Sequence, residues 1–259
     1  MVAAKSTTRR VRPVKPLGPT LDAKKQPEQQ RATETYELIL AVTAQTLADV
    51  GIERLSTNLV CARAGLTPPA LYRYFPNKYA LLRELGERLM QRQNELIPRW
   101  VTPQALTGSI AELELALKGL ILDTYAVTEQ TQGGVWILRA LRAVPAMQEL
   151  RLGSHARVTQ EQTSLLAAAF PLVEVEQLRL VGRIAVDLIY ATVELLCDEP
   201  LNAETVAGIV ASMIASHLHR VRPDANDGKP MAMHRTAGTR SSQRNSAAVS
   251  GKRKAGRTG

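Results

Sequence analysis

Residues 56–78 constrain the fold more than any other stretch of this chain. Ser56 or Thr57 can cap a helix that runs to about Ala64 with Leu59 and Val60 turned inward. Gly65 permits a tight turn, because glycine enters the left-handed region without a Cβ clash. Thr67 can cap a second helix, with Pro68 at its first position, where a missing N–H costs nothing. Leu71 and Phe75 are spaced to fix that helix to a core, Pro76 ends it, and Asn77 caps the next. Two short helices on a tight turn, the second carrying Tyr on its exposed side, form the pattern of a helix-turn-helix. In that motif the second helix lies in the DNA major groove.

The flanking sequence is helical throughout. Tyr36, Ile39, Leu40, Thr43, Leu47 and Val50 recur at three- and four-residue spacing, and Gly51 is a good stop. After Asn77, Leu81, Leu82, Leu85 and Leu89 mark a helix to about Leu96. Residues 104–129 carry the same spacing from Leu106 to Tyr125, and Gly133-Gly134 breaks it before a helix over Val135–Ala143. Pro145 opens a helix to about Phe170, Pro171 breaks it, and helices over 174–197 and from Asn202 to about Val221 complete the pattern. No segment alternates with period two for long enough to require a strand. The expectation is all-α, with about nine helices and no internal repeat.

Charge is unevenly distributed. Residues 1–31 hold eight Lys/Arg against two acids, and 223–259 hold eight against two, so each end is +6 and residues 32–222 are −3. Such Pro-, Ser-, Gly-, Lys- and Arg-rich ends cannot bury enough apolar surface to order themselves, so 1–31 and 223–259 read as disordered basic tails. They can add sequence-independent attraction to phosphates. Met1 to Leu17 has no apolar run of the signal-peptide kind, and no stretch reaches the ~18 uncharged apolar residues of a membrane span. The expectation is a soluble, cytoplasmic protein without a membrane partner. Cys61 and Cys197 sit in apolar helical patterns without CxxC spacing and read as small buried hydrophobes. No HExxH, GxSxG or P-loop is present, and His217 and His219 fall on different faces of one helix. No catalytic residue, metal site or cofactor is expected.

The series Gly51, Thr57, Val60-Cys61, Ala64-Gly65-Leu66-Thr67, Leu71-Tyr72, Tyr74-Phe75, Asn77-Lys78 and Leu81-Leu82 resembles the TetR family of bacterial repressors. The resemblance is specific over about 32–85; beyond it, helix number and length agree. Cys61 stands in place of the usual Ala, and Pro68-Pro69 where small polar or charged residues are common. The resemblance implies a helix-turn-helix DNA-binding domain at 32–78 and a helical ligand-binding and dimerisation domain at 79–222. Thr57, at a helix N-terminus, can place its hydroxyl and N–H on a phosphate. The family pattern assigns Tyr72 and Tyr74 to backbone or base contacts and Lys78 to a phosphate. Thr67, Pro68, Pro69 and Arg73 lie at the reading end or its flank, and Arg73 can bind guanine in bidentate fashion. Plainer readings stand beside these: Thr67 as an N-cap alone, Arg73 as a solvated charge, one tyrosine as core.

One module contacts too little DNA for tight, specific binding, so a homodimer on a palindromic double-stranded operator is expected. The candidate dimer face comprises Leu178, Val181, Ile184, Leu188 and Ile189 on one helix and Val206, Ile209, Val210, Met213 and Ile214 on the next, since both helices are apolar nearly all round. The family dimerises through its last two helices. It also binds a small-molecule effector among its middle helices, where Trp100, Tyr125, Trp136, Arg139, Met147, His155 and Phe170 are the candidate contacts. The resulting reading is a bacterial repressor, nucleoid-associated when bound to DNA and released by its effector. Two other classes compete with it: a sequence-tolerant DNA compactor driven by the basic tails, and a ligand- or protein-binding helical module with a vestigial helix-turn-helix.

Overall fold

The computed structural model describes residues 30–222. The tail expected at 1–31, apart from its last two residues, and the tail expected at 223–259 lie outside the described residues. The described residues are all-α, in eleven helices: α1 (Gln30–Arg54), α2 (Thr57–Ala64), α3 (Pro68–Tyr72), α4 (Lys78–Asn94), α5 (Ile97–Trp100), α6 (Pro103–Thr107), α7 (Ile110–Gln130), α8 (Gly134–Ala143), α9 (Pro145–Ala169), α10 (Val175–Asp198) and α11 (Ala203–Val221). The two helices beyond the expected nine are the short α5 and α6. The helix expected from 104 begins instead at Ile110, because Ser109 and Glu112 form a reciprocal cap there. The Ser109 N–H donates to Glu112 Oε2 at 2.7 Å, and the Glu112 N–H donates to Ser109 Oγ at 3.3 Å.

Helix α1 is broken near its end by Gly51, at φ 74° and ψ 178°, a conformation open essentially to glycine alone. The break turns the chain so that Leu55 drops into the first core, where it is 1 % exposed. That core joins α1–α4 through Ile39, Leu47, Leu71, Phe75, Leu81 and Leu82, all fully buried, and burial of each such side chain stabilises by about 1.5–3 kcal/mol. It also takes in Ile137 and Leu141 of α8 and Met147 of α9. The second core lies where α11 runs along α7 and α10 along α9, and includes Leu113, Leu117, Leu166, Leu178, Ala211 and Ile214.

Helix α4 belongs to the first core and is bonded to helices on both sides of it. Near its middle, Arg88 forks onto Glu37 of α1 at 2.6 and 2.8 Å. Nearer its end, Gln93 donates to Thr128 of α7 at 2.8 Å, and Asn94 accepts from the Tyr190 phenol of α10 at 2.8 Å. A displacement of α4 therefore acts on the first core and on α7 and α10 at once.

Candidate DNA-reading face and interior cavity

The turn between α2 and α3 is built as the sequence requires. Ser56, in extended backbone, caps α2 by accepting from Leu59 N at 3.2 Å, which leaves Thr57 as the first helical residue. Gly65 is left-handed at φ 64°, and the Leu66 N–H reaches back to Cys61 O at 3.0 Å, closing the end of α2. Asn77 caps α4 by accepting from Tyr79 N and Ala80 N. Leu71 and Phe75, both fully buried, hold α3 on the first core and so decide which of its sides faces solvent.

That solvent side carries Thr67, Pro68, Pro69, Tyr72 and Arg73, all exposed. Thr67 stands at the N-cap position, yet its side chain makes no capping bond, so the hydroxyl is not spent on the helix. Pro68 and Pro69 occupy the first two helical positions and supply no N–H, which leaves side chains to do any reading at this tip. The hydroxyls of Thr57 and Tyr72 lie 2.9 Å apart, bridging the start of α2 to the end of α3. Lys78 is half-buried at the start of α4, its ammonium 3.4 Å from Ile52 O and 5.7 Å from the centre of the Tyr79 ring. Tyr74 departs from the family assignment. It is 6 % exposed against 39 % for Tyr72, and its ring meets Tyr36 edge-on at 6.1 Å. The tyrosine that serves as core is therefore Tyr74.

An interior cavity opens beside the second core, lined by residues of α4, α7, α9, α10 and α11 among others. Its volume is about 70 Å³, which makes it a narrow slot. Its walls are mostly Leu, Val, Ile, Ala and Gly, with Gln93, Thr124, Gln162 and Tyr190 as the polar exceptions.

None of the seven residues expected as effector contacts lines this slot, and each has another occupation. Trp100 lies over Gly119 and donates from its indole to Asp123 Oδ2 at 2.8 Å. The Tyr125 phenol is bonded to Glu129, which, with partial burial, pushes it up to about 12. Trp136 lies against Gly51 with the Arg139 guanidinium 4.9 Å from its ring, and Arg139 itself pairs with Asp198 at 2.8 Å. Met147 is fully buried in the first core and Phe170 nearly so in the second. His155 is 2 % exposed, stacks on Tyr190 at 4.5 Å between centroids and places Nδ1 3.0 Å from Asp187. Burial lowers its imidazole below the usual range, partly opposed by Asp187. The large side chains fill space, and the slot is left between smaller ones.

The candidate dimer residues divide three ways. Ile184, Leu188, Ile209 and Met213 are exposed, Val181, Ile189, Val206 and Val210 are half-buried, and Leu178 and Ile214 belong to the second core. Leu180 and Leu195, both exposed, extend the apolar stripe of α10.

Residues 39–85 match the family described as bacterial regulatory proteins, tetR family. The tetracycline repressor protein class C of Escherichia coli is 41 % identical over 54 residues, which are 21 % of this chain and 25 % of the relative. The chain thus matches about a quarter of that relative's length. Over this segment the chain is similar to the TetR family.

The likeness to solved TetR-type structures extends over more of the fold. A TetR-family transcriptional regulator from Syntrophomonas wolfei superposes with a TM-score of 0.56 at 14 % identity, covering 72 % of this chain and 95 % of the other. A complex of SmeT with triclosan gives 0.56 at 18 % identity, covering 71 % and 91 %. A transcriptional regulator from Pseudomonas aeruginosa PAO1 gives 0.55 at 14 % identity, covering 75 % and 97 %. At such identities the likeness establishes the fold. It agrees with a TetR-type helix-turn-helix head followed by a helical body. Among the described residues no helix is long and apolar enough to cross a membrane. The slot's polar residues escaped the sequence reading, although Gln93 carries a signal. It continues the inward stripe of Leu82, Leu85, Leu89 and Met90, where a polar residue calls for an explanation.

Proposed function

We propose that this protein is a dimeric transcriptional repressor that reads a palindromic double-stranded operator and is released by a small-molecule effector. The observation that carries the reading is the exposed side of α3, where Thr67, Tyr72 and Arg73 stand free of the core on a helix fixed from behind by Leu71 and Phe75. Residues 32–78 would be the reading part and 79–222 the effector-binding and dimerising part. Thr57 and Lys78 would hold phosphates, and Arg73 would contact a base edge. Tyr74 would act from behind by supporting the helix.

The dimer would form on Leu180, Ile184, Leu188 and Leu195 of α10 with Ile209 and Met213 of α11. Solvent-exposed apolar side chains in a continuous stripe mark an interaction surface. The effector would occupy the slot and favour a conformation in which the two heads no longer match adjacent major grooves. It can shift that balance only by as much as it prefers one state. Such a protein would work in the bacterial cytoplasm, on the nucleoid. Selection of bound sequences from a random duplex pool tests the reading, the expected product being an inverted repeat with half-sites about one helical turn apart. On that site Lys78→Ala should weaken binding to all sequences alike, whereas Arg73→Ala should relax preference at one base pair. A pool that stays random would reject the repressor reading in favour of tail-driven compaction or a module that does not read DNA.

A further inference from the structure

The slot's polar groups define the chemistry of its occupant. Gln93 is 1 % exposed, lines the slot, and donates from Nε2 to Thr128 Oγ1 at 2.8 Å. The Thr128 hydroxyl has one proton, which it gives to Thr124 O at 2.7 Å, so towards Gln93 it can only accept. That fixes which way the amide points. Its nitrogen faces Thr128 and its oxygen is left over. Gln93 Oε1 is buried and has no hydrogen-bond partner among the described residues. An acceptor buried among apolar groups without a donor is unfavourable until something supplies one.

Two of the other three polar groups have no proton to offer an acceptor on the ligand, and the half-buried Gln162 amide is the donor that remains. The Thr124 hydroxyl donates to Leu120 O at 2.7 Å and the Tyr190 phenol to Asn94 Oδ1 at 2.8 Å, so both protons are committed. Among the described residues no Asp, Glu, Lys, Arg or His lines the slot. A charged group entering it would lose its water and gain no counter-charge. We infer that the effector is a slim, uncharged, mainly apolar molecule whose hydroxyl or N–H group donates to Gln93 Oε1. This rests on the reading of the slot as the effector site. Because Gln93 sits in the last turn of α4, filling its free acceptor would bear directly on the helix that is packed in the first core and bonded to α7 and α10.

Titration calorimetry of the full chain without DNA tests the inference, using 1-octanol, 1-methoxyheptane and octanoate as probes. The first two have equal size and differ in whether the oxygen carries a proton. The alcohol should bind the wild type about tenfold or more tighter than the ether, and octanoate at neutral pH should not bind measurably. Gln93→Met should erase the alcohol's advantage over the ether. Should that variant fail to fold, the wild-type comparison of alcohol with ether decides by itself. Equal affinities for alcohol and ether, tight octanoate binding, or an alcohol preference that survives in Gln93→Met would each overturn the inference. So would the absence of binding by all three probes. With no DNA in the titration, such a failure leaves the operator reading standing. A random-pool selection that fails while the alcohol still binds through Gln93 removes the operator reading instead.

Discussion

Replacing Gly51 by Ala isolates the backbone feature that joins the long first helix to the reading head. At φ 74° and ψ 178° the residue occupies a region that L side chains enter at a cost of about 1–3 kcal/mol. An added Cβ would also stand 3.3 Å from the Trp136 ring, closer than comfortable contact. Trp136 is only half-buried and can yield by a few tenths of an ångström, so the backbone cost should dominate. At about 2–4 °C per kcal/mol for a body of this size, the melting temperature should fall by roughly 2–12 °C. Gly65→Ala is the matched control. Its φ is also positive, at 64°, but its ψ of 30° lies in the left-handed helical region, which costs about 1–2 kcal/mol, and nothing lies within 4 Å of the new Cβ. Urea unfolding of the two variants, and of Gly51→Ala in a Trp136→Ala background, separates the contributions. Gly51→Ala should be the more destabilised, and most of its loss should persist without the indole. A Gly51→Ala protein as stable as wild type would refute the reasoning, and a loss abolished by Trp136→Ala would assign it to the ring contact instead.

Phe75→Ala, which empties a fully buried site where the ring lies 4.8 Å from Tyr36, should cost about 3–5 kcal/mol in urea unfolding and abolish DNA binding by releasing α3. His155 is held below its ordinary pKa chiefly by burial, so the unfolded chain binds its proton first as pH falls. The stability tied to its neutral form should be present above pH ~6.5 and decline as pH falls through the depressed folded-state pKa. His155→Phe, which keeps a ring on Tyr190, should lack that portion of the pH dependence of unfolding. Ile184→Glu combined with Leu188→Glu puts charge on the exposed stripe of α10 and should turn a dimer into a folded monomer in sedimentation velocity. Loss of helicity in circular dichroism would instead show those residues to be needed by the monomer.

Much of the fold was legible because its punctuation is local. Gly51 and Gly65 break or stop elements by their backbone chemistry, and Ser56, Asn77 and Asn202 start them by accepting from free N–H groups, whereas α3 ends at Tyr72, before the expected stop at Pro76. The start of α7 was misplaced because Thr102 and Ser109 are both competent caps, and each is used, the first for the short α6. The reading face was legible in outline. The choice between Tyr72 and Tyr74 was not, since α3 has only five residues and the chain beyond it turns away from helical periodicity. The cavity was legible least. Large side chains draw attention by their size, yet Trp100, Trp136 and Met147 are what fills the protein. A slot is a shortfall of packing between elements distant in sequence, a property of the assembled helices rather than of any one residue. Gln93 is the exception, since a lone amide on an apolar stripe is visible in sequence even when its unfilled acceptor is not.

The central claim is that the α2–α3 head, and not the basic tails, reads DNA. It is tested most directly by comparing affinity for a selected site with affinity for its scrambled version, in the full chain and in a chain cut to residues 30–222. The cut chain should bind both duplexes more weakly, because the positive charge of the ends is gone, while keeping the ratio between them. A ratio that collapses to one when the tails are removed would contradict the account.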